Sequence, residues 1–393
     1  VKHVLVISTS YPSAADPLSG AVIARSMAAL VRREGWRVTV ISPFGTAPVM
    51  DANGSQAEPP EVSLEDGVEV HRPRFTQVPG TSADSDTKAI TEAALPVARR
   101  IDSAHPVDLI EAQSFFPDGP VAARLAKALS KPLSMKARGR DITYWGGKDF
   151  ALAEMQRAAE QAEGLLSVSK ALLQDMDELG LPVDKASAHY TGLDRDRFRP
   201  LDHTQLRSQL SQVLKFPLPD NAPLLVSVGS LIEHKGQHLA IAALPEIPRA
   251  RLILAGKGED EAKLRRLAED LGVAERVLFA GSLDHDVLPL ILSAADVMVL
   301  PTASEGLANA WVEALACGTP IVTSDVGGAR EIITSDKAGR LLPEPTPQAI
   351  AASVNAVLNY PPNPMDVAAQ AERFSWDAHA AELAAHYDGL LSG

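Results

Sequence analysis

The chain holds 393 residues, with 37 basic side chains against 50 acidic ones and a net charge of −13. At ~150 residues per domain this length predicts two domains, each large enough to bury its own core, and 46% hydrophobic with 22% charged residues excludes global disorder. The acidic balance and the 5% aromatic content exclude a general nucleic-acid binder, and a single cysteine, Cys317, excludes a disulfide framework and a multi-thiolate zinc site.

Val4 to Ile7 reads as a buried strand, Ala21 to Glu34 as a helix ended by Gly35, and Arg37 to Ile41 as a second strand. Gly45 to Asp66 is rich in Pro, Gly and acids and is expected to be a surface excursion, followed by a strand at Val68 to His71. Thr76 to Asp86 is polar and expected to be a loop. Asp108 to Ala112, Leu133 to Lys136 and Gly164 to Val168 are further strands, and Ser169 is placed to cap a helix at Ala171 to Leu179. A segment rich in charge and proline, His189 to Asp220, marks a domain boundary.

A second series of strands follows at Leu224 to Val228, Leu252 to Ala255, Val277 to Phe279, Val297 to Leu300 and Ile321 to Thr323. Helical stretches separate them at Gln237 to Leu244, Glu259 to Leu271, Val287 to Ala294 and Ala310 to Ala316, and Trp376 to Leu391 is a last amphipathic helix. Alternating strands and helices of this kind build βαβ units on parallel sheets. The expected fold is α/β, two tandem Rossmann-like doubly wound domains. Ligands in such sheets sit beyond the carboxyl ends of the strands, so the loops after strands carry the candidate chemistry.

Four such loops are informative. Gly229-Ser230-Leu231 followed by His234-Lys235-Gly236 suits a backbone that approaches an anion, with lysine beside it, or else an ordinary turn. Gly256-Lys257-Gly258-Glu259-Asp260-Glu261 starts like a dinucleotide fingerprint, but Glu261 stands at the third glycine position and would repel a pyrophosphate. A turn leading into an acidic first helical turn fits better. Glu305-Gly306-Leu307-Ala308-Asn309, with Glu313 further along the next helix, combines free helix-start amides with carboxylates. That pair of features suits a phosphorylated sugar, or acids that merely offset a helix dipole. Gly327-Gly328 is a candidate anion nest or a tight turn. In the first half, Gly20 precedes a helix, and Arg138-Gly139-Arg140-Asp141 follows a strand as an anion contact or a solvated loop.

Other patterns fail as metal sites. Asp-x-Asp recurs at Asp84/Asp86, Asp175/Asp177, Asp194/Asp196 and Asp284/Asp286, little more often than chance allows. His234 and His238 have zinc spacing, but Gly236 lies between them. No metal site is expected. No Gly-x-Ser-x-Gly elbow and no P-loop is present.

Taken together, these residues resemble the retaining glycosyltransferase family four of the GT-B fold. The resemblance rests on Val228-Gly229-Ser230-Leu231, Lys235-Gly236, Ala255-Gly256-Lys257-Gly258, Phe279-Ala280-Gly281, Ala295-Asp296-Val297, Pro301, Glu305-Gly306, Glu313-Ala314, Ala316 to Val322 and Gly327-Gly328…Glu331. Tyr190 to Asp194 with Phe198-Arg199-Pro200 resembles the family's junction. It covers nearly the whole chain, more loosely in the first half. It implies an acceptor-side domain of residues 1–194 plus 374–393, a donor-binding domain of residues 195–373, and a central cleft that both face.

The resemblance implies that Lys235 contacts a diphosphate, Glu305 holds hydroxyls of the transferred sugar and Glu313 binds the ribose. Gly20, Gly229, Ser230, Gly256, Lys257 and the stretch Gly306, Leu307, Ala308 and Asn309 complete the donor site. The implied activity is a metal-independent retaining hexosyltransferase. It takes a UDP-sugar or GDP-sugar as co-substrate, needs no cofactor, and serves polysaccharide or glycoconjugate synthesis. Its acceptor would be a glycan, a lipid-linked sugar or a small molecule, and nucleic acid is not a partner. Three residues depart from the family pattern: Ser230 where arginine is common, Arg138 where histidine is common, and Ala308 where glycine is common. Arg138 is therefore expected to act as a catalytic cation that partly replaces the one missing at Ser230. Two alternatives stay open, a nucleotide-sugar epimerase of the same fold and a non-catalytic nucleotide-sugar-binding protein.

The first strand is too short for a signal-peptide core, and no 18-residue apolar run is present. The expected location is cytoplasmic. Arg25, Arg32, Arg33 and Arg37 are either a contact for the inner face of a membrane or a solvated helix face.

Overall fold

The computed structural model describes residues 1–13, 16–17, 19–46, 59–76, 83–283 and 286–392. The chain divides into two compact units, Val1–Gly192 with Trp376–Gly393, and Leu193–Ser375. The crossing points lie within two residues of the expected boundaries.

Unit 1 contains β1 (Lys2–Ile7), β2 (Trp36–Ile41), β3 (Phe44–Thr46), β4 (Val62–Glu65), β5 (Val68–His71), β6 (Arg74–Thr76), β7 (Leu109–Ala112), β8 (Leu133–Ala137), β9 (Gly164–Ser167) and β10 (Ala186–Ala188). Eight of these form one sheet in the order β10-β9-β8-β7-β1-β2-β5-β4, and β3 pairs with β6 apart from it. All neighbours in the large sheet run parallel except β4, which is antiparallel to β5 at the edge. The central strands read as unbroken apolar runs because helices cover both faces; in β1 every residue from His3 to Ile7 is buried. The strand order reverses between β1 and β7.

Unit 2 contains β11 (Leu224–Val228), β12 (Arg251–Ala255), β13 (Val277–Gly281), β14 (Val297–Leu300), β15 (Ile321–Ser324) and β16 (Gly339–Leu342). All are parallel in the order β13-β12-β11-β14-β15-β16. This is the 3-2-1-4-5-6 order of a nucleotide-binding Rossmann sheet, reversing between β11 and β14. Its core runs through Leu225, Ile241, Leu254, Val299 and Val322 to Ile350 and Val354.

Several expected boundaries shift. The helix expected to run to Glu34 ends at Val31, because the Arg33 amide bonds back to the Leu30 carbonyl in a tight turn before Gly35. The loop expected at Thr76 to Asp86 is only partly a loop: Thr76 ends β6, residues 77–82 lie outside the described residues, and a helix runs over Ala83–Ala104. That helix buries Ile90, Ala94, Val97, Ala98 and Ile101, so its helical spacing emerges only after a polar first turn. The excursion expected at Gly45 to Asp66 carries strands at its described ends, and residues 47–58 lie outside the description. The boundary segment is not all linker either. It holds a helix at His203–Leu214, fixed by the buried Arg207, which donates to the Ala294 carbonyl at 3.0 Å and to Asp296 at 2.7 Å.

The last helix, Trp376–Ser392, inserts Leu383, Ala384 and Tyr387 into the core of unit 1 beside Val4, Val38 and Leu109. Gly192 has no side chain for good reason, since a Cβ there would overlap the Trp376 ring. The helix also brings histidines into the interior. The His379 Nδ1–H donates to the Tyr190 carbonyl at 2.7 Å, which leaves its Nε2 to accept from the Ser26 hydroxyl at 2.6 Å. His379 is thus neutral, and burial holds its pKa well below the usual value.

His386 lies against Ser134, 3.0 Å from its hydroxyl. Burial first, and the nearby Lys136 charge second, push its pKa down to about 4. A histidine with a lowered folded pKa binds fewer protons in the native state, so its contribution is complete above the unfolded value and fades as pH falls. The fade runs at ~1.4 kcal/mol per pH unit between about 6.5 and 4. Comparing wild type with His386→Gln by urea unfolding removes every other titrating group from the account. The gap in unfolding free energy is expected to shrink by ~2 kcal/mol between pH 7 and pH 5, and a constant gap would refute this assignment.

Candidate active site

The loops after β11 and β14 flank the switch point of unit 2, the place where open α/β sheets bind ligands. Gly229 leaves β11, Ser230 is exposed, and the chain turns through Glu233–Lys235 to Gly236. The buried Gln237 fastens this turn by donating its side-chain amide to the Ser230 carbonyl at 3.0 Å. After β14 the chain passes Pro301 and Thr302 to Glu305. Thr302 and Ala303 pin this loop to the first one. The Thr302 hydroxyl lies 3.0 Å from the His234 carbonyl, and the Ala303 amide donates to the same oxygen at 2.7 Å.

The result is an ion pair between Lys235 and Glu305, residues seventy positions apart. Each side chain keeps 18% of its surface exposed, so both charges are held in place yet remain reachable. Gly306, Leu307 and Ala308 are buried behind Glu305 and lead into the helix Asn309–Ala316. Ala308 gives that helix no side-chain cap and its first turn carries no acid. The acids therefore do not serve as dipole partners at the helix start: Glu305 precedes it by a loop, and the half-buried Glu313 sits beyond the first turn. Helix-start amides without a capping carboxylate suit an anionic group.

Glycines bring the loops together. A Cβ on Gly236 would overlap the Pro301 carbonyl, one on Gly256 the Gly229 carbonyl, one on Gly258 the Leu231 carbonyl, and one on Gly327 the Glu305 carbonyl. Gly256, Lys257 and Gly258 thus form a backbone-packed turn, and the Lys257 carbonyl accepts the Leu231 amide at 3.0 Å. The helix that follows, Glu261–Asp270, has Glu261 in its first turn, ion-paired with Arg265 at 2.7 Å. The Gly327-Gly328 pair is a tight turn: the Gly328 amide is already given to the Gly306 carbonyl at 2.8 Å, and it shapes the Glu305 loop from behind. His234 and His238 do not share a helix, because Gly236 takes the left-handed conformation between them. Among the described residues no group of three His, Cys, Asp or Glu is placed to hold a metal.

In unit 1, Gly20 starts the helix Ala21–Val31 with a left-handed φ of 68°, packed on the Ser10 carbonyl. Arg138 follows β8 and turns inward. Its Nε donates to the Gln113 carbonyl at 3.2 Å, and its Nη2 bonds the Gln113 side-chain oxygen. The buried Asp141 accepts the amides of Phe115 at 2.7 Å, Arg138 at 3.0 Å and Gly139 at 2.8 Å, locking the loops after β7 and β8 together. Burial raises the Asp141 pKa, and those amides oppose the rise. Arg140 points the other way and lies 4.9 Å from the Tyr144 ring centre. Sequence reasoning singled out Arg138 and quoted Asp141 only as part of its loop; it missed Gln237 and Thr302, polar side chains that carry no charge and instead bond the backbone carbonyls of Ser230 and His234. Of the four clustered arginines, Arg37 pairs with Glu69 at 3.3 Å, while Arg32 and Arg33 line a groove of about 640 Å³ with Asp377 and Asp388. No helix of the described residues is long and apolar enough to cross a membrane.

Two doubly wound units, the second with a charged, glycine-packed switch point, match the architecture of the GT-B fold. Solved structures agree across the full length. Sucrose-phosphate synthase of Thermosynechococcus elongatus superposes with a TM-score of 0.80 at 20% identity, covering 100% of both chains. The Anabaena protein HepE, solved in complex with UDP-glucose, gives 0.74 at 21% identity over 99% of this chain and 100% of that one. The Glycosyl transferase 4-like domain matches residues 20–192, and the Glycosyl transferases group 1 family matches residues 211–374. The GDP-mannose-dependent alpha-(1-6)-phosphatidylinositol monomannoside mannosyltransferase of Mycolicibacterium smegmatis is 30% identical over 290 residues, 68% of this chain and 74% of that one. D-inositol 3-phosphate glycosyltransferase 1 of Catenulispora acidiphila is 27% identical over 369 residues, 85% of this chain and 84% of that one. The chain belongs to glycosyltransferase family four, and it is a glycosyltransferase.

Proposed function

We propose that the enzyme transfers a hexose from a nucleoside diphosphate sugar to a carbohydrate or lipid-linked acceptor, with retention of anomeric configuration, in polysaccharide or glycoconjugate synthesis. The observation that carries this reading is the Lys235–Glu305 pair at the switch point of unit 2. A cation and a carboxylate side by side can divide one substrate between them: Lys235 takes the diphosphate and Glu305 takes hydroxyls of the sugar. The amides from Gly306 to Asn309 add donors for the phosphate, and Glu313 binds the ribose. Gly229, Ser230, Gly256 and Lys257 line the remaining strand ends, and Gly20 closes the corresponding loop in unit 1. As the glycosidic bond breaks, negative charge grows on the departing diphosphate. Fixed donors aimed there lower the barrier without a resident metal or cofactor, and the departing phosphate accepts the acceptor's proton. Arg138 acts as a further cation in the reaction.

A thermal-shift panel of UDP-, GDP- and ADP-sugars tests the proposal. GDP-mannose comes first, because the relative at 30% identity is named for that donor. A true donor at about 100 times its dissociation constant stabilises by ~2.7 kcal/mol. If no nucleoside diphosphate sugar shifts the melt, the donor reading fails; if the donor is converted with no acceptor present, the transferase reading fails in favour of an epimerase.

A further inference from the structure

Glu111 is an ionisable residue where the sheet has no evident use for one. It sits on β7 with no exposed surface, between Ile110 and Ala112. Isolated carboxylates are costly to bury, and those retained are paired or hydrogen-bonded. The partners of Glu111 form a chain that leads outward in one direction. The Tyr387 hydroxyl, on the last helix, donates to its Oε2. The Gln113 side-chain amide donates to the same oxygen at 2.8 Å. The Gln113 side-chain oxygen in turn receives the Arg138 guanidinium, whose Nε also bonds the Gln113 main chain. Tyr387 is itself fully buried and Gln113 nearly so, whereas Arg138 is half-buried. The relay thus begins in the core and ends at the carboxyl ends of β7 and β8.

We propose that Glu111, Gln113 and Tyr387 are positioning residues that fix the Arg138 guanidinium in its working orientation. The last helix thereby contributes to the reaction through Tyr387. The amide orientation of Gln113 follows from this arrangement. Its NH2 must face the carboxylate, so its oxygen must face the guanidinium, and only one of the two amide rotamers completes the chain. Asp141 holds the Arg138 backbone amide, and the relay holds the other end of the side chain. With both ends fixed, Arg138 is pre-organised and little ordering remains for the moment of reaction. Lys136 is buried nearby and already engaged, bonding His189 at 2.7 Å, and burial pushes its pKa well down, so it does not take the place of Arg138 in the chain.

This inference rests on the reading of Arg138 as a cation of the reaction, and a double-mutant cycle separates the two. Initial rates and donor titrations are measured for wild type, Tyr387→Phe, Arg138→Ala and the double variant, each with a thermal melt. Tyr387→Phe removes one hydroxyl and is expected to lower kcat/KM about tenfold, within the ~10²-fold that an ångström of misplacement can cost. In the Arg138→Ala background the same change is expected to lower it less than twofold, because the group being positioned is gone. Equal losses in both backgrounds would show that Tyr387 serves stability alone and overturn the relay. Unchanged donor affinity and rate in Arg138→Ala itself would overturn the role of Arg138 instead. Should Tyr387→Phe fail to fold, the isosteric Glu111→Gln enters the same cycle with the same two expectations.

Discussion

Replacing Lys235 with alanine is expected to lower the rate at saturating donor a hundredfold to a thousandfold. The size follows from the role. Removing one fixed donor that stabilises developing negative charge typically raises the barrier by about 3–4 kcal/mol. Lys235 meets the structural requirement for such a donor. Its turn is fastened by Gln237, and its ammonium is held by Glu305 rather than left to sample solvent. The variant also strands Glu305. That carboxylate loses its counter-charge while four-fifths of its side chain stays covered, so part of the loss would come from a loosened sugar contact. Lys235→Arg separates the two contributions, because it keeps a partner for Glu305 and changes only the geometry of the cation. A Lys235→Ala enzyme within about threefold of wild type would leave the lysine less than ~1 kcal/mol, too little for leaving-group stabilisation.

The second large effect is expected from Gly236→Ala, the addition of a single methyl group. Gly236 has φ 74°, a conformation that costs other residues about 1–2 kcal/mol. Its missing Cβ is occupied by the Pro301 carbonyl. That neighbour is backbone, so no rotamer change can make room. The loop after β14 must move away from the turn that carries Lys235, and the Ala303 amide must leave the His234 carbonyl. Glu305 moves with its loop. We expect kcat/KM to fall about tenfold to a hundredfold, the scale set by ångström-sized errors in placement. The melting midpoint should fall by only a few degrees, since ~2–4 °C accompanies each kcal/mol in units of this size. Rates measured well below the melt decide the matter, and an alanine variant with full kcat/KM would show that the two loops are not coupled through this contact.

The alternation of apolar runs with amphipathic stretches made both units legible from the sequence alone, and the loops that matter stood out because glycine and charge interrupt otherwise apolar strand ends. Lys235, Glu305 and Glu313 could be nominated singly in this way. The resemblance put them in one donor site, but the direct pairing of Lys235 with Glu305 could not be read from local pattern. It depends on β11 and β14 being neighbours in the sheet, and strand order is set by how many crossovers pass to each side, which periodicity does not encode. The helix at His203–Leu214 stayed hidden for a different reason: its short apolar spacing is surrounded by proline and charge, and Arg207 anchors it through backbone carbonyls. Glu111 falls inside the expected strand Asp108 to Ala112, but its partner Tyr387 lies 276 positions away. No local pattern joins them.

The placement of residues 376–392 sets an order of events during synthesis. Unit 2 is one continuous stretch, so all of it has been made before that helix leaves the ribosome. Unit 1 is made first yet lacks Leu383, Ala384 and Tyr387 until last. Domains generally fold in the order they emerge, and here that order is inverted for completion: the first unit waits with an open apolar face while the second closes. During that interval Glu111 has no tyrosine hydroxyl and His379 has not reached Ser26. A nascent chain stalled before residue 376 is therefore a partly open form of unit 1 beside a finished unit 2, and the arrival of the last helix both seals the core and sets the arginine.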